Sequence, residues 1–293
     1  MKVGWIGAAV ALMASCGRPL LSDLEVDLGD PDSAVRDSEP GDPDGGAGGE
    51  QLCREVDFLF VIDHSQSMAA YQDNVVANYE VFIDGIEDAI ESIETMHIGV
   101  ITAEAYPHND AACDSLGGLV VRTGGEGSSY SACGPYTEGA NYMTRRDSLE
   151  GAFRCAAQVG TSGSDLDTPL AAILSAVSPP LTDPGACNEG FVNPGALLVL
   201  VVVTDTYPNA QGVVDIDPYF AAAGIVEAVG GYDDVVVVMI ASTEDSPCLN
   251  PLAPELEDFA GIFDHSFVGG ICEQDYSRLF GPAIEVVKGA CPE

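Results

Sequence analysis

Cations are nearly missing from this 293-residue chain. Lysine and arginine together number 10 against 47 aspartates and glutamates, the formal net charge is -37, and lysine occurs only as Lys2 and Lys288. Such an acidic surface repels nucleic acid and anionic lipid. It also leaves few groups to hold a phosphorylated substrate. Histidine is scarce too: the four histidines are scattered, and no HExxH spacing occurs, which removes the zincin-type hydrolases. The nine cysteines form no CxxC pair, which argues against a thiolate zinc centre. What the chain does have is apolar residues, 46% of the total, and length enough for one sizeable domain or two small ones, with a substantial core.

The first residues read as an export signal. Lys2 supplies a positive end, residues 3–14 are almost wholly apolar, and Ala14, Ser15 and Cys16 follow. The apolar stretch is too short to cross a membrane as a stable helix. Leu12-Met13-Ala14-Ser15-Cys16 resembles the lipobox of bacterial lipoproteins, with Met13 where that family usually has leucine. The resemblance implies that Cys16 becomes a lipid-modified N-terminus in the bacterial cell envelope. Gly17 is not the aspartate that retains well-studied lipoproteins at the inner membrane, so the outer membrane or cell surface is expected. An ordinary cleaved secretion signal is the alternative. Residues 17–50 are then a spacer rich in Asp, Pro and Gly with few large apolar groups after Leu28. Such a segment cannot bury enough surface to offset its ordering entropy and reads as a disordered linker.

Setting Cys16 aside leaves Cys53, Cys113, Cys133, Cys155, Cys187, Cys248, Cys272 and Cys291. An even number in an exported chain implies disulfides, although connectivity does not follow from spacing. Cys113 with Cys133 is the pairing expected first, because both lie in one irregular excursion, residues 103–145, rich in Gly, Ser and Tyr.

From residue 51 the chain alternates apolar runs with helical periodicity. Residues 56–62, 97–102, 197–203 and 235–240 read as buried strands, and 119–123 as a short edge strand. Helices are expected over 71–94, 218–229, 254–260 and 275–287, and another begins near Leu170. Pro218 suits a first helical turn. This alternation predicts a doubly wound α/β fold, a mostly parallel Rossmann-like sheet with helices on both faces, over residues 51–293.

The informative motif is Asp63-His64-Ser65-Gln66-Ser67, just past the first strand. Ligands bind beyond the carboxyl ends of strands where strand order reverses. In the common order the first and fourth strands are neighbours there, which sets Asp205, after the run 197–203, opposite Asp63. Alternate residues of an extended loop point one way, so Asp63, Ser65 and Ser67 converge, with His64 pointing elsewhere. A carboxylate and two hydroxyls are hard oxygen donors, suited to Mg2+, Mn2+ or Ca2+ rather than zinc. The alternative is a polar turn whose serines cap the next helix.

Val61 to Met68, Val-Ile-Asp-His-Ser-Gln-Ser-Met, resembles the DxSxS motif of von Willebrand factor type A domains. That family has a metal-ion-dependent adhesion site on a Rossmann-like fold. The resemblance implies Asp205, in Val-Val-Val-Thr-Asp, as a further ligand. It also implies a threonine from a second loop: Thr161, with Thr168 as the alternative. The ion would bind a protein partner through that partner's acidic residue, without catalysis. Two other readings compete: a phosphatase-like hydrolase, for which Ser65 stands where a second aspartate is usual, and a structural domain with a dead metal site. Gly160 to Ser164 is only superficially a nucleophile elbow, since position 164 is not glycine. If the N-terminal reading holds, mass spectrometry of protein from its native membranes finds acyl mass on Cys16. Cys16→Ser releases the protein, and an intact Met1 terminus would end this reading.

Overall fold

The computed structural model describes residues 53–90, 92–164, 166–205, 215–243 and 254–291. The expected signal peptide, linker and Cys248 lie outside the described residues. Among the described residues six strands form one sheet: β1 (Glu55–Ile62), β2 (Thr95–Thr102), β3 (Met143–Thr144), β4 (Leu197–Val203), β5 (Val235–Ala241) and β6 (Ser266–Gly270). Their order is β3-β2-β1-β4-β5-β6, all parallel except β3. The order reverses between β1 and β4, which pair from Val56↔Leu197 to Ile62↔Val203.

Among the described residues six α-helices cover the sheet: α1 (Ala69–Ala89), α2 (Leu149–Ala157), α3 (Pro169–Ala176), α4 (Pro218–Val229), α5 (Pro254–Ala260) and α6 (Ser277–Gly289). Successive residues of β1 serve opposite cores, as strand geometry requires. Phe58, Phe60 and Ile62 pack with α1, α2 and α6; Leu59 and Val61 pack with α3, α4 and α5. Tyr79 of α1 stacks on Phe153 of α2 at 3.6 Å, and Phe60 meets Phe153 edge-on at 4.7 Å. Both faces of the sheet are therefore apolar, and its strands are continuous hydrophobic runs.

The α/β, doubly wound, mostly parallel architecture is the one the sequence predicts, with differences at the edges. Helix α1 ends at Ala89, not 94; its last turn carries no basic residue, and acidic side chains there oppose the helix dipole. Residues 119–123 form no regular strand; Arg122 makes a single antiparallel bridge to Ala132, and the true edge strand is β3. Even so, Leu119, Val120 and Val121 are buried, and Leu119 lies on β2 where Gly99 makes room. A Cβ at Gly99 would sit 2.5 Å from Leu119 Cδ2.

The disulfides are Cys53–Cys291, Cys113–Cys187 and Cys133–Cys155, and Cys272 is disulfide-bonded as well. The expected Cys113–Cys133 bridge is incorrect. The excursion folds around the sheet edge, so its cysteines reach opposite cores: Cys113 joins Cys187 in one, and Cys133 packs against the other. Each is tied to a segment outside the excursion. Such bonds persist in oxidising compartments. Among the described residues, no helix is long and apolar enough to cross a membrane.

At the amino ends of the strands, the buried Asp57 pairs with the partly buried His97, Oδ1 to Nδ1 3.2 Å. Asn193 donates its backbone N–H to Asp57 Oδ2 at 2.7 Å, which pins the loop entering β4. Burial opposes charge on His97, but the hydrogen bond and field of Asp57 and the Phe191 carbonyl overcome it, so His97 titrates above its ordinary 6.5. Burial outweighs these bonds at Asp57, which titrates above its ordinary 3.8.

Peptide mapping without reduction recovers Cys113 with Cys187 and Cys133 with Cys155, and a Cys113–Cys133 peptide would refute the pairing. Cys53→Ser lowers unfolding free energy by roughly 2–5 kcal/mol in denaturant melts, since that bond closes the longest loop. A raised histidine pKa means stability that is complete below the unfolded value and lost as pH rises through the folded one. Wild-type stability from His97 therefore declines from pH 6.5 upward. His97→Phe flattens that decline in melting temperature measured between about pH 6 and 8.

Candidate metal centre

The loop after β1 is set by backbone bonds before any side chain acts. Asp63 N–H donates to Val203 O at 3.0 Å, which carries the β1–β4 ladder one residue past the strand, and Met68 N–H closes a turn on Ser65 O at 3.1 Å. Asp63 is fully buried. Its Oδ1 accepts from the Ser65 amide at 2.7 Å, and its Oδ2 accepts from the Thr204 hydroxyl at 2.7 Å. The carboxylate thus binds the ends of β1 and β4 together at the reversal of strand order.

Ser65, Ser67 and Asp205 meet beside it. Ser67 Oγ donates to Asp205 Oδ1 at 3.0 Å, Ser65 Oγ lies 3.5 Å from the same oxygen, and the two hydroxyls are 3.3 Å apart. Ser65 and Asp205 are buried, whereas Ser67 is exposed. The cluster therefore reaches solvent at Ser67. Cis ligands of an octahedral ion with bonds of about 2.1 Å stand about 3 Å apart. The three oxygens have close to that spacing, and all are hard donors, so the residues present fit a magnesium-type ion.

Around this cluster the fold supplies support that the motif alone did not reveal. Gln72, one turn into α1, donates from Nε2 to Asp63 O at 3.0 Å and to Gly160 O at 2.8 Å. It also accepts from Gly160 N–H at 3.2 Å. The loop 160–164 is thereby held against the β1 loop, and Gly163 N–H adds a bond to His64 O at 2.9 Å. Gly160 has φ +84, and a Cβ there would lie 2.6 Å from Glu126 O, so both conformation and space call for glycine.

Neither threonine candidate hydrogen-bonds to the cluster. Thr161 gives its hydroxyl to Glu126 O at 3.4 Å and its N–H to the same oxygen at 2.8 Å. Thr168 precedes α3 and bonds through its N–H to Ala103 O at 2.9 Å. The threonine that touches the site is Thr204, directly before Asp205. Its place at the end of an apolar run was the available signal.

His64 points away from the serines, as alternation requires. Its ring meets Tyr106 edge-on at 5.3 Å, and its Nε2 is 3.5 Å from Glu104 Oε1. Burial holds His64 below its ordinary 6.5 against the opposing fields of Glu104 and Asp63. Tyr71 is raised above its ordinary 10.0 by burial and by the Asp205 carboxylate.

The chain matches no family model and no curated protein. It is similar to the solved structure of proximal thread matrix protein 1 from the mussel byssus, at 13% identity and TM-score 0.43, over 80% of this chain and 48% of that one. It is also similar to a von Willebrand factor type A structure from Catenulispora acidiphila, at 15% identity and TM-score 0.41, over 81% of this chain and 43% of that one. The chain spans less than half the length of either.

Proposed function

We propose that the protein is a recognition module, not an enzyme, that grips an acidic residue of a protein partner through a divalent ion. Ser65, Ser67 and Asp205 hold the ion, Mg2+ or Mn2+, with Ca2+ as the larger alternative. Asp63 supplies charge from one layer behind, and a further oxygen from Thr161 or Thr168 would require the adjacent loop to turn its hydroxyl toward the ion, since Thr161 now gives it to Glu126 O. The observation that carries this reading is the three-oxygen cluster with octahedral spacing that reaches solvent at Ser67. The DxSxS resemblance to von Willebrand factor type A domains agrees with it.

Two features favour a protein as the ligand. The open position is the one a carboxylate would fill, since neutral serines leave the ion electrophilic. Helix α4 begins at the same end of the sheet, and its first turn exposes Tyr219 and Phe220 at 69% and 64%. Exposed aromatics beside a charged anchor are typical of protein contact surfaces. The lipobox-like Cys16 and the oxidised cysteines fit display from a bacterial envelope, with membrane contact only through a lipid anchor.

Titration calorimetry tests the metal. Wild type takes up one Mg2+, and Ser67→Ala and Asp205→Asn weaken it at least tenfold. Asp63→Ala abolishes uptake. It also costs about 1–3 kcal/mol of stability, because it removes the acceptor that the Thr204 hydroxyl and the Ser65 amide share. Capture of a surface protein should fail with chelator and with Ser67→Ala alike. Equal magnesium and manganese binding by wild type, Ser67→Ala and Asp63→Ala would sink the adhesion-site reading.

A further inference from the structure

Three loops at the same end of the sheet bring a second donor set together. His64 follows β1, Glu104 follows β2, and Asp167 stands two residues before α3. One ligand atom from each lies within 4.8 Å of the others. His64 and Asp167 are 2% and 1% exposed; the Glu104 side chain is 22% exposed. We infer that His64, Glu104 and Asp167 form a binding site for a second divalent ion, of the zinc or manganese type.

The histidine is the decisive residue. Buried polar groups are normally hydrogen-bonded, yet His64 Nδ1 has no partner. Its Nε2 lies 3.5 Å from Glu104 Oε1, at the distance of a loose ion pair. A buried imidazole aimed at two carboxylates in this way is arranged as a ligand, not as a satisfied core histidine. The carboxylate opposite is held in place by its neighbours. Ser164 donates its N–H to Glu104 Oε1 at 2.6 Å and its hydroxyl to Oε2 at 2.8 Å. Such outer bonds fix the orientation of metal-ligating groups.

The space is kept open by Gly163. A Cβ there would lie 2.7 Å from Glu104 Oε1 and 2.8 Å from His64 Cδ2. Ligand atoms around a four-coordinate ion at about 2.1 Å are about 3.4 Å apart, so the trio must draw in by about 1 Å. One nitrogen and two carboxylates balance a dication and favour zinc or manganese over magnesium, whose protein ligands are oxygens. This donor set shares no side chain with Ser65, Ser67 and Asp205. It is linked to them only through the backbone of His64, so an ion here would brace the loop that carries both serines.

The test is a Co2+ titration of the full chain with disulfides intact and Mg2+ in saturating excess. Visible absorption bands should rise to one equivalent and vanish when Zn2+ is added. Glu104→Gln and Asp167→Asn should each weaken Co2+ at least tenfold, while Ser67→Ala and Asp205→Asn leave it unchanged. In wild type the His64 ring resonances should shift with the same saturation curve, a readout that needs no variant. Absence of Co2+ uptake, or uptake indifferent to Glu104→Gln and Asp167→Asn, would overturn the site. Loss of Co2+ in Asp205→Asn alone would assign the ion to the serine cluster and overturn it equally. The magnesium result stands or falls apart from these, because it is read on different variants.

Discussion

The buried Asp63 carboxylate is the interaction on which the site depends. It sits where strand order reverses, and it is shared between the Ser65 amide on one side and the Thr204 hydroxyl on the other. Each oxygen therefore fixes one wall of the crevice. The serines reach Asp205 because their loop starts from a residue already locked to the neighbouring strand. A buried carboxylate without such partners is costly; here its bonds turn that cost into rigidity at the point where the sheet opens. Gln72 extends the same logic to a third wall by joining Asp63 and Gly160 through one amide.

Much of this was legible in sequence, and the reasons differ by element. The central strands were readable because strands buried on both faces are unbroken apolar runs, as in Leu197–Val203. The DxSxS loop was readable because its position after such a run fixes its place in the crevice. The edges were not. Strand β3 is two residues long, and β6 is Ser-Phe-Val-Gly-Gly, half-exposed and rich in glycine; neither carries a hydrophobic period. The pairing of Cys113 and Cys133 failed because nearness in sequence was read as nearness in space. The excursion crosses the sheet edge between them.

The donor set of His64, Glu104 and Asp167 was invisible for a related reason. Its members lie on three loops separated by long stretches of chain, and only the packing of loop 160–164 against β1 brings them together. His64 was readable only as a residue that must point away from the serines. What it points toward is a property of the fold. Thr204 was similarly hidden inside the run that announces Asp205.

Strand β1 is paired on both sides from Val56 to Ile62, with β2 and with β4. Its amino end follows Cys53, and its carboxyl end delivers Ser65 and Ser67. A pull between residue 53 and a ligand held at the serines would therefore run along the strand, not across it. In that direction the hydrogen bonds of both ladders are loaded together in shear and must fail at once, whereas a peeling force would break them singly. The Cys53–Cys291 bond passes part of the load to the end of α6. Along that line, from Cys53 to the loop that carries Ser65 and Ser67, the domain would meet a load in shear.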